Sequence, residues 1–280
     1  MLKSDSWLKY ITPLEPIPSG FDQRGKPLGK IDSFVFDIYG TLFICGCGDI
    51  GTSVECERNV VGLDELLQRY LIPESATPLL DAFFSAIETE HTLMKRNGIE
   101  YPEVDVIRIW RKLLGTLQPE DLHRFALEFE LIINPVYPMP HLDALLAACR
   151  CSGIKMGIIS NAQFYTPILF EHFLKADILA LGFDPDLTVL SYRIGQAKPS
   201  SVLFEMVGKN LDQNGIPRSS ALYLGNDMLN DIGPAHEAGF QTALFAGDAR
   251  SLRLREGDPR CRGLSADMVI TDLIQLLDFL

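Results

Sequence analysis

An aspartate directly follows a short apolar segment near the start of the sequence. Residues 33–36 read Ser-Phe-Val-Phe, and Asp37 comes next, ahead of Gly40 and Thr41. A segment that is apolar on both faces is typical of a central strand in a parallel sheet, so this carboxylate would lie at the end of the strand. An aspartate there is a candidate nucleophile or metal ligand. The alternative is a side chain that only caps the following turn.

A second group of oxygen-bearing side chains follows the apolar segment 221–225. Four of the next six residues are Asn226, Asp227, Asn230 and Asp231. The two aspartates are four residues apart and share a face if this segment is helical. Acidic residues also occur at helix N-termini simply as caps. The density of carboxylate and amide oxygens favours a hard cation such as Mg²⁺.

Groups that could bind an anion occur at two further points. Ser160 and Asn161 stand at the end of the apolar segment 155–160, and Lys198 precedes Pro199 and a predicted helix. The ammonium could neutralise a phosphoryl oxygen, which helix N–H groups could also bind. Each residue has an ordinary alternative: capping for the serine and asparagine, a solvated surface charge for the lysine.

The polar residues lie at the ends of elements in an alternating pattern of strands and helices. Strands are predicted at 33–36, 155–160, 221–225, 241–246 and 267–270, and helices at 141–150, 164–174, 200–211 and 231–238. This alternation predicts an α/β fold in which helices sandwich a parallel sheet through right-handed crossovers. Ligands of such sheets bind beyond the carboxyl ends of the strands, which is where Asp37, Ser160 and Asn226 fall.

The interval of about 120 residues between Asp37 and Ser160 is too long for one crossover. Helical patterns fill it at 63–71, 78–96, 102–114 and 119–132. Residues 45–135 are therefore predicted to form an all-helical cap over the rim of the sheet. The α/β core would comprise 31–44 and 136–280, and the Pro- and Gly-rich residues 1–30 would form an arm packed on it.

Composition excludes several classes of function. The chain has 280 residues, 47% of them hydrophobic, and a formal net charge of −12. Nucleic-acid binders need a positive surface, so no nucleic-acid partner is predicted. The six cysteines lack zinc-finger spacing. The sequence has neither a signal-peptide pattern nor an apolar run of about 18 residues, and these two features predict a cytoplasmic protein that contacts no membrane. The sequence carries no signal for an oligomeric state.

Four short motifs, taken in chain order, resemble those of the haloacid dehalogenase-like hydrolase superfamily. They are Asp37–Leu42, Ser160-Asn161, Lys198-Pro199 and Gly225–Asp231, and the helical insert is similar to that superfamily's type 1 cap. The resemblance implies a Rossmann-like core and an aspartate nucleophile whose covalent intermediate is hydrolysed by water. It further implies Mg²⁺-dependent hydrolysis of a small phosphorylated metabolite through an aspartyl-phosphate.

The resemblance also implies a role for residues of each motif. The residues predicted to act in catalysis are Asp37, Tyr39 and Lys198. Those predicted to bind the substrate are Thr41, Ser160, Asn161 and Lys198. Those predicted to hold Mg²⁺ are Asp37, Tyr39 through its backbone carbonyl, Asn226, Asp227 and Asp231.

Two positions depart from the pattern of the superfamily's phosphatases. Their second aspartate of the first motif, a general acid and base, is replaced by Tyr39. A phenol is a poor proton donor and acceptor at neutral pH, and general acid–base catalysis is worth roughly 10²–10⁴-fold. The first aspartate of the fourth motif is replaced by Asn226, which removes one formal charge from the predicted metal site.

Tyr39 keeps a second function open, because a halide leaves without a proton and the superfamily's 2-haloacid dehalogenases carry tyrosine at this place. Those enzymes work without metal and have an arginine soon after the first motif, whereas Phe43 to Gly51 contains no cation. A third possibility is a weakly catalytic protein that binds a ligand or partner on the same fold.

Substrate choice would depend on side chains of the cap. The candidates to enter the cleft are Arg96, Tyr101, Arg108 and Arg111. Phe83, Phe84 and Ile87 are instead predicted to form a buried helix face. Residues 46–51 fit a Gly-x-Gly-x-x-Gly string without the strand and helix that dinucleotide binding requires, and they predict a hinge into the cap.

Overall fold

The computed structural model describes residues 6–46 and 60–280. The strands are β1 (Arg24–Gly25), β2 (Ser33–Phe36), β3 (Phe43–Cys45), β4 (Val136–Pro138), β5 (Lys155–Ser160), β6 (Phe183–Leu190), β7 (Ala221–Gly225), β8 (Gln241–Phe245) and β9 (Met268–Ile270). The α-helices are α1 (Val60–Arg69), α2 (Ala76–Arg96), α3 (Val106–Leu113), α4 (Pro119–Ile133), α5 (Leu142–Ser152), α6 (Thr166–Leu174), α7 (Ser191–Ile194), α8 (Ser201–Gln213) and α9 (Gly233–Glu237).

Seven of the described strands form one sheet in the order β1-β9-β8-β7-β2-β5-β6. Every pair is parallel except β1 with β9 at one edge. Separate buried clusters surround the sheet and include apolar residues of the helices that connect its strands. The predicted Rossmann-like α/β fold is confirmed.

Strand β2, in the interior of the sheet, is buried along its whole length. It is parallel to β5 on one side and to β7 on the other, with Phe36 in register with Ile158 and Leu224. A strand with neighbours on both sides and helices on both faces needs apolar side chains on both faces, which is why Phe-Val-Phe occurs here. The residues that end or follow these three strands consequently meet at one edge of the sheet.

Helices α1 to α4 lie in sequence between β3 and β4, which pair with each other in a small antiparallel sheet. Their apolar side chains form a core separate from those around the large sheet. Phe83 of α2 stacks on Trp110 of α3 with ring centroids 4.3 Å apart, and Phe125 and Phe129 of α4 pack against the same indole. These aromatic contacts hold three of the four helices together.

The domain limits drawn from the sequence stay predictions: 1–30 for the arm, 45–135 for the cap, and 31–44 with 136–280 for the core. Residues 47–51 of the predicted hinge lie outside the described residues. The described part of the arm contacts the rest of the chain at several points, among them the buried side chain of Trp7. The N–H of Ile17 donates to Asp248 at 3.1 Å, and the N–H of Ala249 donates to the carbonyl of Ile17 at 2.7 Å.

Strand β6 was not predicted from its sequence, Phe-Asp-Pro-Asp-Leu-Thr-Val-Leu. Pro185 and two aspartates interrupt the apolar pattern that marks the other strands. The strand lies at the edge of the sheet with β5 as its neighbour, and an edge strand tolerates a proline because one side of its backbone needs no ladder partner.

Candidate active site

The carboxylate of Asp37 lies at the carboxyl end of β2, and the residue is only 4% exposed. Its Oδ1 accepts from the hydroxyl of Ser160 at 2.9 Å and from the ammonium of Lys198 at 2.6 Å. The same ammonium lies 2.5 Å from Oδ1 of Asp231. Burial alone would lower the pKa of Lys198, but the charges of Asp231 and Asp37 outweigh it and raise that pKa. Lys198 is therefore a fixed cation between two buried carboxylates.

Asp231 is held by donors on both of its oxygens. Oδ2 accepts from the backbone N–H groups of Asn226 and Asp227 at 3.0 and 2.9 Å. Oδ1, besides meeting Lys198, lies 2.9 Å from the hydroxyl of Tyr223. Burial raises the pKa of Asp231 above its ordinary value in spite of the nearby ammonium. Asp231 thus fixes the turn after β7 and anchors the lysine.

Asp227 makes a separate ion pair and caps the turn that follows it. Its Oδ2 lies 2.6 Å from Nη2 of Arg255, and its Oδ1 accepts from the N–H groups of Leu229 and Asn230 at 2.9 and 3.1 Å. These contacts are those of the capping alternative, on a short π-helical turn at Met228–Ile232.

The second oxygen of Asp37 shares a hydroxyl with Asn226. Oγ1 of Thr41 lies 3.4 Å from Oδ2 of Asp37 and 3.2 Å from Oδ1 of Asn226. A hydroxyl has one proton and can serve only one of these acceptors at a time. The amide nitrogen of Asn226 donates to the carbonyl of Ser251, which directs the amide oxygen towards Thr41. One carboxylate oxygen and one amide oxygen, each with spare lone pairs, therefore lie within hydrogen-bond distance of the same hydroxyl.

Two other predicted site residues, Tyr39 and Asn161, make hydrogen bonds of their own. The hydroxyl of Tyr39 lies 2.8 Å from Oγ1 of Thr166. Burial raises the pKa of Tyr39 well above its ordinary value, so the phenol stays protonated near neutral pH. Oδ1 of Asn161 accepts from the backbone N–H of Lys198 at 2.7 Å and so positions the loop that carries the lysine.

A cavity of about 540 Å³ opens between these residues and the helices α2 to α4. Its polar floor includes Asp37, Lys198, Asn226, Asp227 and Asp231. Its facing wall is largely apolar and includes Phe83, Phe84, Ile87, Val104, Phe129 and Ile133. Site residues predicted from distant motifs thus line one cavity. Thr41 and Ser160 do not line it, but both contact the carboxylate of Asp37.

The predicted core face of the cap has a second role, and the residues predicted to enter the cleft were wrong. Phe83 lies in the core of α1 to α4 and Phe84 and Ile87 pack against it, as predicted, but all three also line the cavity. The candidates Arg96, Tyr101, Arg108 and Arg111 are not among the described residues that line it. All three arginines are exposed to solvent, since they stand on the outer faces of α2 and α3.

Three residues of the site were not found from the sequence. Tyr223 gave one signal, a phenol within an otherwise apolar strand. Arg255 follows its partner, Asp227, by 28 residues and had no motif around it. Glu103 lines the cavity and accepts from the hydroxyl of Ser191 at 2.7 Å, although its sequence context gave no sign of burial.

Glu103 connects the helical insert to the core. Besides Ser191, its carboxyl group accepts from the side-chain amide of Gln163 at 3.3 Å. Its backbone N–H donates to the carbonyl of Gly195 at 3.2 Å, in the loop that leads to Lys198. Burial raises the pKa of Glu103 from 4.5 to about 7.

Glu103→Gln is expected to stabilise the protein at pH 8 relative to wild type. An acid whose pKa rises on folding favours the folded state below its unfolded pKa, and this stability is lost as pH rises through about 7. At about 1.4 kcal/mol per pKa unit, the loss between pH 4 and pH 8 is of the order of 3 kcal/mol. Urea unfolding at both pH values measures it. The exposed Glu171→Gln is the control, and an unchanged pH dependence in Glu103→Gln would contradict the prediction.

Comparison with known proteins identifies the fold. No family model matches the chain. The ribulose-1,5-bisphosphate 5-phosphatase of Halopiger xanaduensis is 32% identical over 140 residues, which are 50% of this chain and 55% of that protein. The chain thus matches only about half the length of this curated relative.

Two solved structures cover nearly the whole chain. The 2-haloacid dehalogenase of Pseudomonas syringae pv. Tomato DC3000 aligns with 89% of this chain and 97% of its own, with a TM-score of 0.54 and 18% identity. The HAD phosphatase of Thermococcus onnurineus aligns over the same shares, with a TM-score of 0.52 and 20% identity. The chain has the haloacid dehalogenase-like fold. The superfamily resemblance drawn from the four motifs is confirmed at the level of the fold.

Mg²⁺, which the haloacid dehalogenase-like fold implies, finds a sparse set of ligands in this chain. Within residues 6–46 and 60–280, no three His, Cys, Asp or Glu side chains are grouped so as to hold a metal ion. The oxygens of Asp227 and Asp231 already accept from several donors. Oδ2 of Asp37 and Oδ1 of Asn226 fit a hard cation, because Mg²⁺ often binds one or two carboxylates and takes its remaining ligands from water and phosphate.

Proposed function

We propose that this chain hydrolyses phosphate monoesters with Asp37 as the nucleophile. The observation that carries the proposal is that this carboxylate is buried at the floor of a cavity and that Ser160 and Lys198 both contact one of its oxygens. Its other oxygen has a long contact, 3.4 Å, with Thr41. A carboxylate held in one orientation is positioned to attack through Oδ1, whereas Oδ2 is the oxygen that fits the cation. The identity with a curated phosphatase over half of the chain supports the same activity.

The proposed reaction has two displacements at phosphorus. A carboxylate oxygen of Asp37 attacks, the bond from phosphorus to the leaving oxygen breaks, and an aspartyl-phosphate forms. Water then attacks the same phosphorus and loses a proton, the bond to Asp37 breaks, and inorganic phosphate leaves. The hydroxyl of Ser160 and the ammonium of Lys198 stand beside the reacting carboxylate, where they can donate to the phosphoryl oxygens.

Mg²⁺ would be held by Asp37 and Asn226, with the carbonyl of Tyr39 as a further ligand. When bound, the ion supplies positive charge to the phosphoryl oxygens. With one formal negative charge among its protein ligands, the site should bind the ion weakly before substrate arrives. Asp227 and Asp231, predicted from the sequence as ligands, serve in this proposal to hold the turn and Lys198.

Removing divalent cations is expected to stop phosphate ester hydrolysis. EDTA should lower the rate of phosphate release from acetyl phosphate by at least about 100-fold, because the ion screens the charge of the transferring group. Millimolar Mg²⁺ should restore the rate, and a thermal shift on Mg²⁺ titration gives a readout that is independent of turnover. Full activity in EDTA would exclude the metal from the proposal.

A second candidate, hydrolysis of a 2-haloacid, is favoured by one observation, the buried phenol of Tyr39 in the place of a general acid. In that reaction Asp37 attacks the carbon that bears the halogen, halide leaves without a proton, and water hydrolyses the resulting ester. Chloride release from 2-chloropropionate in EDTA would support it. Absence of both phosphate and chloride release would leave the third function, a binding protein with weak catalysis.

The setting of the proposed enzyme follows from charge and cysteine chemistry. The phosphatase relative supports a small-molecule substrate, and a net charge of −12 argues against a nucleic-acid partner. Cys149, Cys151 and Cys261 are free thiols, which fits the cytoplasm. No helix among the described residues has the length and apolar character to cross a bilayer.

A further inference from the structure

The two ends of the cavity differ in chemistry. The floor carries the charged groups around Asp37, whereas α2 and α4 contribute aromatic and aliphatic side chains to the facing wall. Phe84 and Ile87 are half-buried, one turn apart on α2, and both line the cavity. The stacking of Phe83 on Trp110 at 4.3 Å fixes this part of α2. The wall is therefore a preformed apolar surface able to cover a planar ring.

The apolar end offers no cation to a second anionic group. No Lys or Arg among the described residues of α1 to α4 and their connections lines the cavity. The titratable side chains there include Glu103, Glu130 and His91. Burial raises the pKa of both glutamates to about 7 and lowers the pKa of the histidine. A second phosphate beside α2 to α4 would thus meet two carboxyl groups, while the cations that line the cavity, Lys198 and Arg253, both belong to the core.

The reacting end restricts the leaving group. Tyr39 takes the position for which the superfamily resemblance implies a general acid, and its hydroxyl lies 2.8 Å from Oγ1 of Thr166. Without a proton donor in that place, an alkoxide leaves slowly, whereas a phenolate is stable enough to leave unprotonated. The chemistry of the floor and the surface of the wall therefore favour the same kind of substrate.

We propose that the substrate is an aryl phosphate monoester whose ring lies against Phe84 and Ile87 while its phosphoryl group meets Asp37 and Lys198. The inference rests on the proposed phosphatase function. In the first displacement the bond from phosphorus to the aryl oxygen breaks, and the phenolate takes its proton from water. The curated relative differs, since its name specifies a sugar bisphosphate.

Turnover and binding test the inference separately. With Mg²⁺, kcat/KM for 1-naphthyl phosphate should exceed that for ribulose 1,5-bisphosphate by at least about 100-fold, because the bisphosphate lacks the ring and places a charge in the apolar end. In calorimetry, 1-naphthylmethylphosphonate should bind at least about tenfold more tightly than methylphosphonate, since it buries a ring. Equal affinities, or equal turnover of the bisphosphate, would overturn the inference.

A variant of the wall locates the effect. Phe84→Ala should lower the ratio of kcat/KM for 1-naphthyl phosphate to that for acetyl phosphate by about tenfold, because the small acyl phosphate does not reach the wall. Leu93→Ala is the matched control, on the same helix at a position 52% exposed and away from the cavity. If Phe84→Ala unfolds, Phe84→Leu and Ile87→Ala replace it. An unchanged ratio in the folded variants would contradict the inference.

The two proposals fail in different ways. If acetyl phosphate is not hydrolysed under any condition, the proposed function fails, and the phosphonate affinities still decide whether the wall receives an aromatic ring. If acetyl phosphate and ribulose 1,5-bisphosphate are both hydrolysed well, the phosphatase function stands and the aryl preference is wrong.

Discussion

Replacing Asp37 by asparagine is expected to reduce kcat for acetyl phosphate and 1-naphthyl phosphate by at least about 10⁴-fold, as expected for loss of a nucleophile. Asparagine has nearly the same shape, so Ser160 can still donate to its side-chain oxygen. The amide is not nucleophilic, and Lys198 loses one of the two carboxylates that it compensates. Release of inorganic phosphate measures the effect.

Trapping distinguishes loss of the nucleophile from loss of the fold. Acid-quenched wild-type enzyme should carry one phosphoryl group by intact mass, and Asp37→Asn should carry none. Asp186→Asn, at an exposed position, is the matched control and should retain wild-type turnover. A variant at position 37 with turnover within tenfold of wild type would remove this residue from the mechanism.

The position of the nucleophile could be predicted because the physics is local. A segment such as 33–36, apolar on both faces, has to be a central strand, and a carboxylate placed directly after it has to lie at the strand's end. The same reasoning applied to Ser160 and to Asn226. Since neighbouring parallel strands end at one edge, residues far apart in the chain had to approach each other. Ser160 and Lys198 contact Asp37 directly, and Thr41 connects Asp37 with Asn226.

The division of roles within the fourth motif could not be predicted. Asp227 and Asp231 are the same residue type four positions apart, and both suit a cation. Their difference arises from the geometry of the turn, which aims two N–H groups at Asp231, and from Arg255, which approaches Asp227 from a loop 28 residues later. No local pattern encodes such a contact.

The apolar wall of the cavity was missed for a different reason. Phe83, Phe84 and Ile87 have helical spacing, and a face that packs in a core has the same periodicity as a face that lines a cavity. The packing of α2 against α3 and α4 decides which side chains are enclosed and which remain half-buried. The arginines, chosen for their chemistry alone, lie on the opposite surface for the same reason.

Tyr39→Asp is expected to raise turnover of alkyl phosphates such as ethyl phosphate by roughly 10²-fold, because it places a titratable acid beside the leaving oxygen. Burial and the nearby carboxyl groups of Asp37 and Glu130, which act on Tyr39 itself, should raise the pKa of the new side chain and keep it protonated closer to neutral pH. Loss of the ring and of its contact with Thr166 should lower the free energy of unfolding by about 3 kcal/mol.

The matched variant Tyr39→Asn separates acid catalysis from added space. It has the same size as the aspartate but no proton to give, so ethyl phosphate turnover should not rise. Turnover of 1-naphthyl phosphate should change little in either variant, because its leaving group departs without a proton. If Tyr39→Asp gave no gain on ethyl phosphate, a group already present would be supplying the proton, and Glu130, which lines the cavity with a pKa raised to about 7 by burial, would be the residue to replace next.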